Sequence, residues 1–249
     1  MTEGGEKRSI YLTPGLGFLV SLLAGLAAVC AGLGTRYELW DFRPGLQILR
    51  WASYGGLAGA VLSFLGILLS LRPLVARNFL LAVPGLIIGI ILVVMPWHWM
   101  QKAKSLPHIH DITTDTQNPP GFVAILPLRR NASNPSGYGG PQIAAEQHRA
   151  YPDIAPLTLA LPPDIAFHKA IEVAREMGWQ IVDANRNEGR IEATGTTFWF
   201  GFKDDIVIRI EENSQGSRVD IRSVSRVGIS DIGTNAQRIR KFLRGMQEP

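Results

Sequence analysis

The chain has 249 residues, 25 Lys and Arg against 21 Asp and Glu, and a single cysteine, Cys30. A mean hydropathy of +0.11 averages two unlike halves. Residues 1–100 hold seven basic and four acidic residues, and residues 101–249 hold the rest in near balance. Together these exclude a wholly soluble enzyme, a disordered chain and a disulfide-stapled secreted domain.

Three uncharged stretches come first: residues 12–34, 51–71 and 78–101, the last with His98 as its only titratable group. A bilayer core takes about 20 apolar residues in helix, so each is long enough to span it. The first is longer than the roughly 7–15 residues of a signal-peptide core. Gly55 and Gly59, and again Gly85 and Gly89, are four apart. Small residues at that spacing let helices approach where lipid gives no hydrophobic drive. The absence of Asp, Glu, Lys and Arg from all three stretches argues against an ion or proton pathway, leaving an anchor. The link 72–77 is short and doubly basic, as a cytoplasmic loop should be. With Lys7 and Arg8 it gives four basic residues on that side against five on the other (Arg36, Arg43, Arg50, Lys102 and Lys104), so charge alone does not set the orientation. The tightness of the link favours the N-terminus inside and the C-terminal part outside. Trp97, Trp99, Tyr37, Trp40 and Trp51 would form an aromatic belt at one interface.

Residues 102–156 are rich in turn signals such as Asn118-Pro119-Pro120-Gly121 and Asn134-Pro135-Ser136-Gly137, so extended chain is expected there, either disordered or laid on a surface. From Leu157 the pattern becomes regular. A short apolar strand, 157–161, precedes a helix opened by Pro162-Pro163 and closed at Gly178, with Phe167, Ala170, Ile171, Ala174 and Met177 on one face. Strands follow at 180–183 and 190–194, and then around Ile206, Ile208 and Ile210 and around Val219 and Ile221. The last helix starts near Thr234, whose spacing to Gln237 fits a capping box, and buries Ala236, Ile239, Leu243 and Met246. The expected architecture is therefore a three-helix transmembrane segment over 1–104, an extended linker or strap over 105–156, and an α+β domain over 157–249. That domain has the order β-α-β-β-β-β-α, an antiparallel sheet with helices on one face.

Three polar groupings carry candidate chemistry. His108, His110, Asp111 and Asp115 combine imidazoles and carboxylates suited to a divalent metal, although a surface strap with turn-capping aspartates explains them as well. Arg222, Arg226, Ser230, Asp231 and Asn235 would place strand-end arginines beside a helix N-terminus, a setting for a phosphate or carboxylate. Against this stands an Arg–Asp pair and a helix cap that fix a corner. Phe198-Trp199-Phe200-Gly201-Phe202 could face a partner, a lipid surface or an apolar ligand, but the favoured reading is strand with alternate rings in the core. Lys203-Asp204-Asp205 beside it reads as a solvated turn in preference to a pair of catalytic carboxylates. The basic last helix, with Arg238, Arg240, Lys241 and Arg244, sits in a nearly neutral domain, so a solvated face or weak contact with anionic lipid head groups is expected rather than a nucleic-acid partner. No phosphate loop, nucleophile elbow or soluble-domain cysteine is present in the sequence.

Three segments resemble the family catalogued as domain of unknown function 1499. They are His110-Asp111-Ile112-Thr113-Thr114-Asp115 with Asn118-Pro119-Pro120, Tyr151-Pro152-Asp153-Ile154, and Gly189-Arg190-Ile191-Glu192-Ala193-Thr194 running on through Phe200-Gly201-Phe202-Lys203-Asp204-Asp205. Arg222-Ser223-Val224-Ser225-Arg226-Val227-Gly228, with Ser230, Asp231 and Asn235, extends the pattern. The resemblance runs from about residue 107 to the C-terminus. It implies a membrane-associated or exported α+β module and lends no activity. The expectation is a multi-pass protein of a bacterial inner membrane with a periplasmic C-terminal domain, needing no cofactor and binding an envelope protein or lipid without catalysis. A metal-assisted hydrolase at the membrane surface is the alternative.

Overall fold

The structure is a computed structural model and describes residues 3–71 and 76–248. Residues 72–75 of the basic link lie outside the described residues. The chain divides into two compact units, Met1–Gln101 with Phe198–Gly201, and Lys102–Thr197 with Phe202–Pro249.

The first unit contains α1 (Glu3–Arg36), α2 (Phe42–Ser70) and α3 (Ala76–Ser105), which includes the four residues 102–105 assigned to the second unit. Within them Thr13–Arg36, Phe42–Ser70 and Asn78–Ser105 are long and apolar enough to cross a bilayer. Asp41 caps α2, its carboxylate accepting from the Arg43 amide at 3.0 Å. Helix α2 buries Ala52, Gly56, Gly59, Ser63, Gly66 and Ser70. Those positions step by four and three, a stripe of small residues down one face. A methyl group at Gly59 would lie 2.7 Å from the Ser21 amide nitrogen of α1, and one at Gly89 would lie 2.8 Å from Ala60 Cβ. Gly85 and Gly89 are both buried as their spacing suggests. On α2 the buried pair is Gly56 and Gly59, with Gly55 only half-buried. The leucines on the opposite faces, such as Leu19, Leu57 and Leu65, are exposed.

The second unit is a six-stranded antiparallel sheet ordered β1-β6-β5-β4-β3, with β2 also pairing with β6. The strands are β1 (Asp111–Thr113), β2 (Leu157–Leu159), β3 (Gln180–Asn185), β4 (Arg190–Thr196), β5 (Lys203–Asn213) and β6 (Gly216–Ser225). Helix α5 (Pro163–Glu176) lies between β2 and β3, and α6 (Thr234–Gln247) follows β6. From β2 onward the order is the expected β-α-β-β-β-β-α. Ile191, Ala193, Ile206, Ile208, Ile210, Val219 and Ile221 line one sheet face and pack with Phe167, Ala170, Ala174, Ile239 and Phe242 of α5 and α6. Both helices therefore cover that face.

Residues 105–156 build more than extended chain. They supply β1, a 3-10 turn (Leu126–Arg129) and helix α4 (Gly140–Ala150), the last with no counterpart in the sequence reading. Its buried Gln147 acts as a strand neighbour for β1: the amide donates to Thr113 O at 2.7 Å, and its oxygen accepts from Thr113 N at 2.9 Å. Phe122 and Ile125 pack on Val207 and Val224, which point away from the α5–α6 core because side chains alternate along a strand. This segment thus covers the second sheet face.

Two local expectations are overturned. Residues 198–202 are not strand: β5 begins at Lys203, and Phe198–Gly201 belongs to the helical unit, with Phe200 buried and Phe198 88% exposed. Lys203-Asp204-Asp205 is not a solvated turn, since both aspartates are buried at the start of β5.

Candidate functional site

The second sheet face is a layer of paired charges. Glu192 on β4 is fully buried and accepts from three successive amides, Val123 and Ile125 at 2.8 Å and Ala124 at 3.1 Å. Arg190 also pairs with it. Three convergent N–H groups plus a guanidinium satisfy a carboxylate that would otherwise be costly to bury, and they pin the covering segment to the sheet.

Asp205 on β5, also fully buried, takes Arg129 Nη1 at 2.6 Å, Arg226 Nε and Nη2 at 2.9 and 2.8 Å, and the Thr194 hydroxyl at 2.8 Å. Arg222 on β6 makes a two-pronged pair with Asp111 at 2.9 and 2.7 Å. It donates as well to the carbonyls of Pro120 and Ser136, and its guanidinium lies 5.3 Å from the Phe122 ring and 5.6 Å from the Tyr138 ring. Asp220 on β6 accepts from Arg209 at 2.9 Å, Arg218 at 2.8 Å and Thr114 at 3.0 Å. Asp115 takes the same two arginines, at 3.1 and 2.8 Å, and the amides of Gln117 and Asn118. Burial alone would raise the Asp115 pKa, but those amides and arginines outweigh it and hold the carboxyl below its usual range. Burial, with the Asp111 charge adding to it, pushes the Tyr138 phenol up to about 12.

A second polar group sits on the helix-covered face at the start of α6. The expected Thr234 cap is replaced. Gly233 is the cap residue, and Asp231 accepts from the amides of Gly233 at 2.9 Å and Asn235 at 2.6 Å. Burial raises the Asp231 pKa. Asn235 is fully buried; its amide donates to Ser225 Oγ at 3.0 Å and His110 O at 3.1 Å, and its oxygen accepts from Ser223 Oγ at 2.7 Å. Arg238 donates to Ser223 Oγ and reaches Asp204 at 2.6 Å. Ser230 donates to Pro107 O at 3.2 Å.

The five residues expected around an anion therefore divide between two layers. Arg222 and Arg226 lie on the strap-covered face, engaged by Asp111 and Asp205, while Ser230, Asp231 and Asn235 lie at the start of α6. The four metal candidates also diverge. His110 and Asp111 are consecutive and alternate across the sheet; Asp111 and Asp115 face different arginines; and His108 is exposed. Among the described residues no group of three or more His, Cys, Asp or Glu could hold a metal ion. Sequence reasoning missed Glu192, Asp204, Asp205, Asp220 and Arg129. A signal was present for Glu192, Asp205 and Asp220, since each falls on the strand face opposite the isoleucines with a basic residue two positions before it, Arg190, Lys203 and Arg218. A cleft of about 360 Å³ opens elsewhere in the unit, lined by Asp164, Phe167, Arg186, Glu188 and Glu211 among others. Its Asp164–Arg186 pair is exposed.

A family model described as a protein of unknown function, DUF1499, matches residues 111–246, more than half the chain. The match runs from the first residue of β1 into the last turn of α6, so it takes in the covering segment and the sheet together and leaves the three long helices outside. No curated protein and no solved structure matches the chain.

Proposed function

The chain belongs to the DUF1499 family, and on that footing we propose that it is a membrane-anchored, non-catalytic binding or assembly module for an envelope component, protein or lipid. It stands in a bacterial inner membrane with its C-terminal domain on the periplasmic side. One observation carries this reading: the buried carboxylates of the strap-covered face, Asp111, Glu192, Asp205 and Asp220, are each held by arginines or amides. Acid–base catalysis needs a carboxylate free to reach substrate, whereas carboxylates whose oxygens are taken up by guanidiniums and amides rigidify a surface. The uncharged helical stretches support anchoring over transport.

The test joins topology to capture. A reporter that matures only outside the cytoplasm, fused after Pro249, is expected to be active. Photo-crosslinking of the full chain in intact cells is then expected to trap a lipid or protein of the envelope on the second unit. An inactive reporter, with an active cytoplasmic one in its place, overturns the envelope assignment. Turnover of a phosphoester or acyl ester by the purified chain, lost on Asp205→Asn, overturns the non-catalytic reading.

A further inference from the structure

The tip of the loop between β4 and β5 belongs to the helical unit, and its details show how it is held there. Arg36 is the last residue of α1 and of the span Thr13–Arg36. Its Nη1 donates to the Phe198 carbonyl at 2.6 Å, and its guanidinium lies 5.9 Å from the Phe198 ring. Trp199 fills the notch left by Gly32, where any side chain would overlap its ring. Gly32 is one turn inside the span, about 6 Å below Arg36 at 1.5 Å per residue. Phe200 is buried, edge-on to Trp199 at 5.1 Å, and would touch a methyl group at Gly45 of α2 at 3.2 Å. Gly201 has φ +67, and a methyl group there would come within 2.9 Å of Arg36 Cα, so glycine lets the loop turn back against α1.

Two of the three aromatic rings are thus wedged against α1 and α2, while Phe198, at 88% exposure, faces outward. The same end of the bundle exposes Tyr37, Leu39 and Trp51 and carries Arg36, Arg43 and Arg50. Aromatic rings among arginines at the end of an apolar span are the composition of the head-group zone, where rings straddle the apolar boundary and guanidiniums meet lipid phosphates. We propose that Phe198–Gly201 is an interfacial membrane finger, with Trp199 and Phe200 locking it to the helices and Phe198 entering the head-group–acyl boundary of a phospholipid leaflet.

This inference rests on the helices spanning a bilayer, and the experiment separates the two. The full chain, with Cys30→Ser, is reconstituted in nanodiscs of phosphatidylcholine and phosphatidylglycerol. Single cysteines replace Phe198, Leu65 on the exposed face of α2, or Ile165 on the exposed face of α5, and each carries an environment-sensitive fluorophore. The label at 198 is expected to be quenched at least about twofold more by lipid carrying a shallow spin label than the label at 165, and to resist aqueous iodide. A label at 198 that matches 165 in both quenchers, while 65 responds to lipid, overturns the finger alone. A label at 65 open to iodide and indifferent to lipid overturns the spanning reading and the finger with it. Phe198→Trp gives an independent check: its added emission is expected to shift to the blue on transfer from detergent to nanodisc, and no shift counts against insertion.

Discussion

The helical unit and the strap-covered sheet face solve the same packing problem by opposite means. Between helices, backbone meets backbone because side chains are removed: Gly56, Gly59, Gly85 and Gly89 leave no group to desolvate. Between strap and sheet, full-length charged side chains are kept and each is neutralised by its neighbour. Lipid offers nothing to solvate a charge, so close packing of small residues is the available route to association. The sheet face has only a small apolar patch around Phe122, Ile125, Val207 and Val224, and directional pairs fix where the strap lies.

The contrast predicts that charge removal damages one region and size addition the other. Asp205→Ala has the largest expected effect, about 3–5 kcal/mol, because it leaves the buried Arg129 and the half-buried Arg226 without their partner. Thermal unfolding of the detergent-solubilised chain reads it, and a loss below about 1 kcal/mol would show that the pairs are replaceable by solvent. Glu192→Gln follows at about 1.5–3 kcal/mol, from weakened bonds to three amides. Limited proteolysis should then cut near residues 122–130 while α5 and α6 stay protected; uniform protection would break the idea that Glu192 is the strap's latch.

In the helical unit, Gly89→Ala is expected to cost about 1–3 kcal/mol by overpacking against Ala60. Gly15→Ala, where nothing lies within 4 Å, is expected to be neutral or slightly stabilising, within about 1 kcal/mol. Equal effects at the two sites would mean that helix propensity, not approach, governs the bundle.

The smallest effect is on pH and belongs to the sheet unit. Asp115 has a lowered pKa when folded, so its stabilisation is complete above the unfolded value of about 3.9 and is lost as pH falls through the folded value. Asp231 runs the other way. Its raised pKa means that stability declines as pH rises from about 3.9 through the folded value, and Asp231→Asn should remove that component. Hydrogen exchange at Gln117 and Asn118, and separately at Gly233 and Asn235, distinguishes the two. Exchange in the acid range that is unchanged at all four amides, after correction for intrinsic rates, would contradict both assignments.

Much of the architecture was legible because it depends on local period and run length. The uncharged stretches, the isoleucine alternation in β5 and the apolar face of α6 are each readable within one element. The order from β2 to α6 follows from them. The capping residue of α6 was misplaced because a Thr-x-x-Gln spacing competes with an aspartate three residues earlier, and only the positive φ of Ile232 and Gly233 brings Asp231 over the helix end. Helix α4 was hidden because its apolar face is narrow and its one buried residue is a glutamine.

By itself the sequence determined which segments suit lipid, which residues form the apolar face of the sheet, and that the domain is α+β. Those are consequences of hydrophobic burial, which is non-directional and set by composition and period. Only the tertiary structure decided what the charged residues do. Asp205 finds Arg129 76 residues away in the chain, and Arg222 finds Asp111 across 111. A pair of that kind requires two remote backbones to present complementary groups within about 3 Å, and no spacing along the chain encodes that meeting. The aromatic loop has the same origin: its rings read as core by type, and it was the notch at Gly32 that gave Trp199 its place.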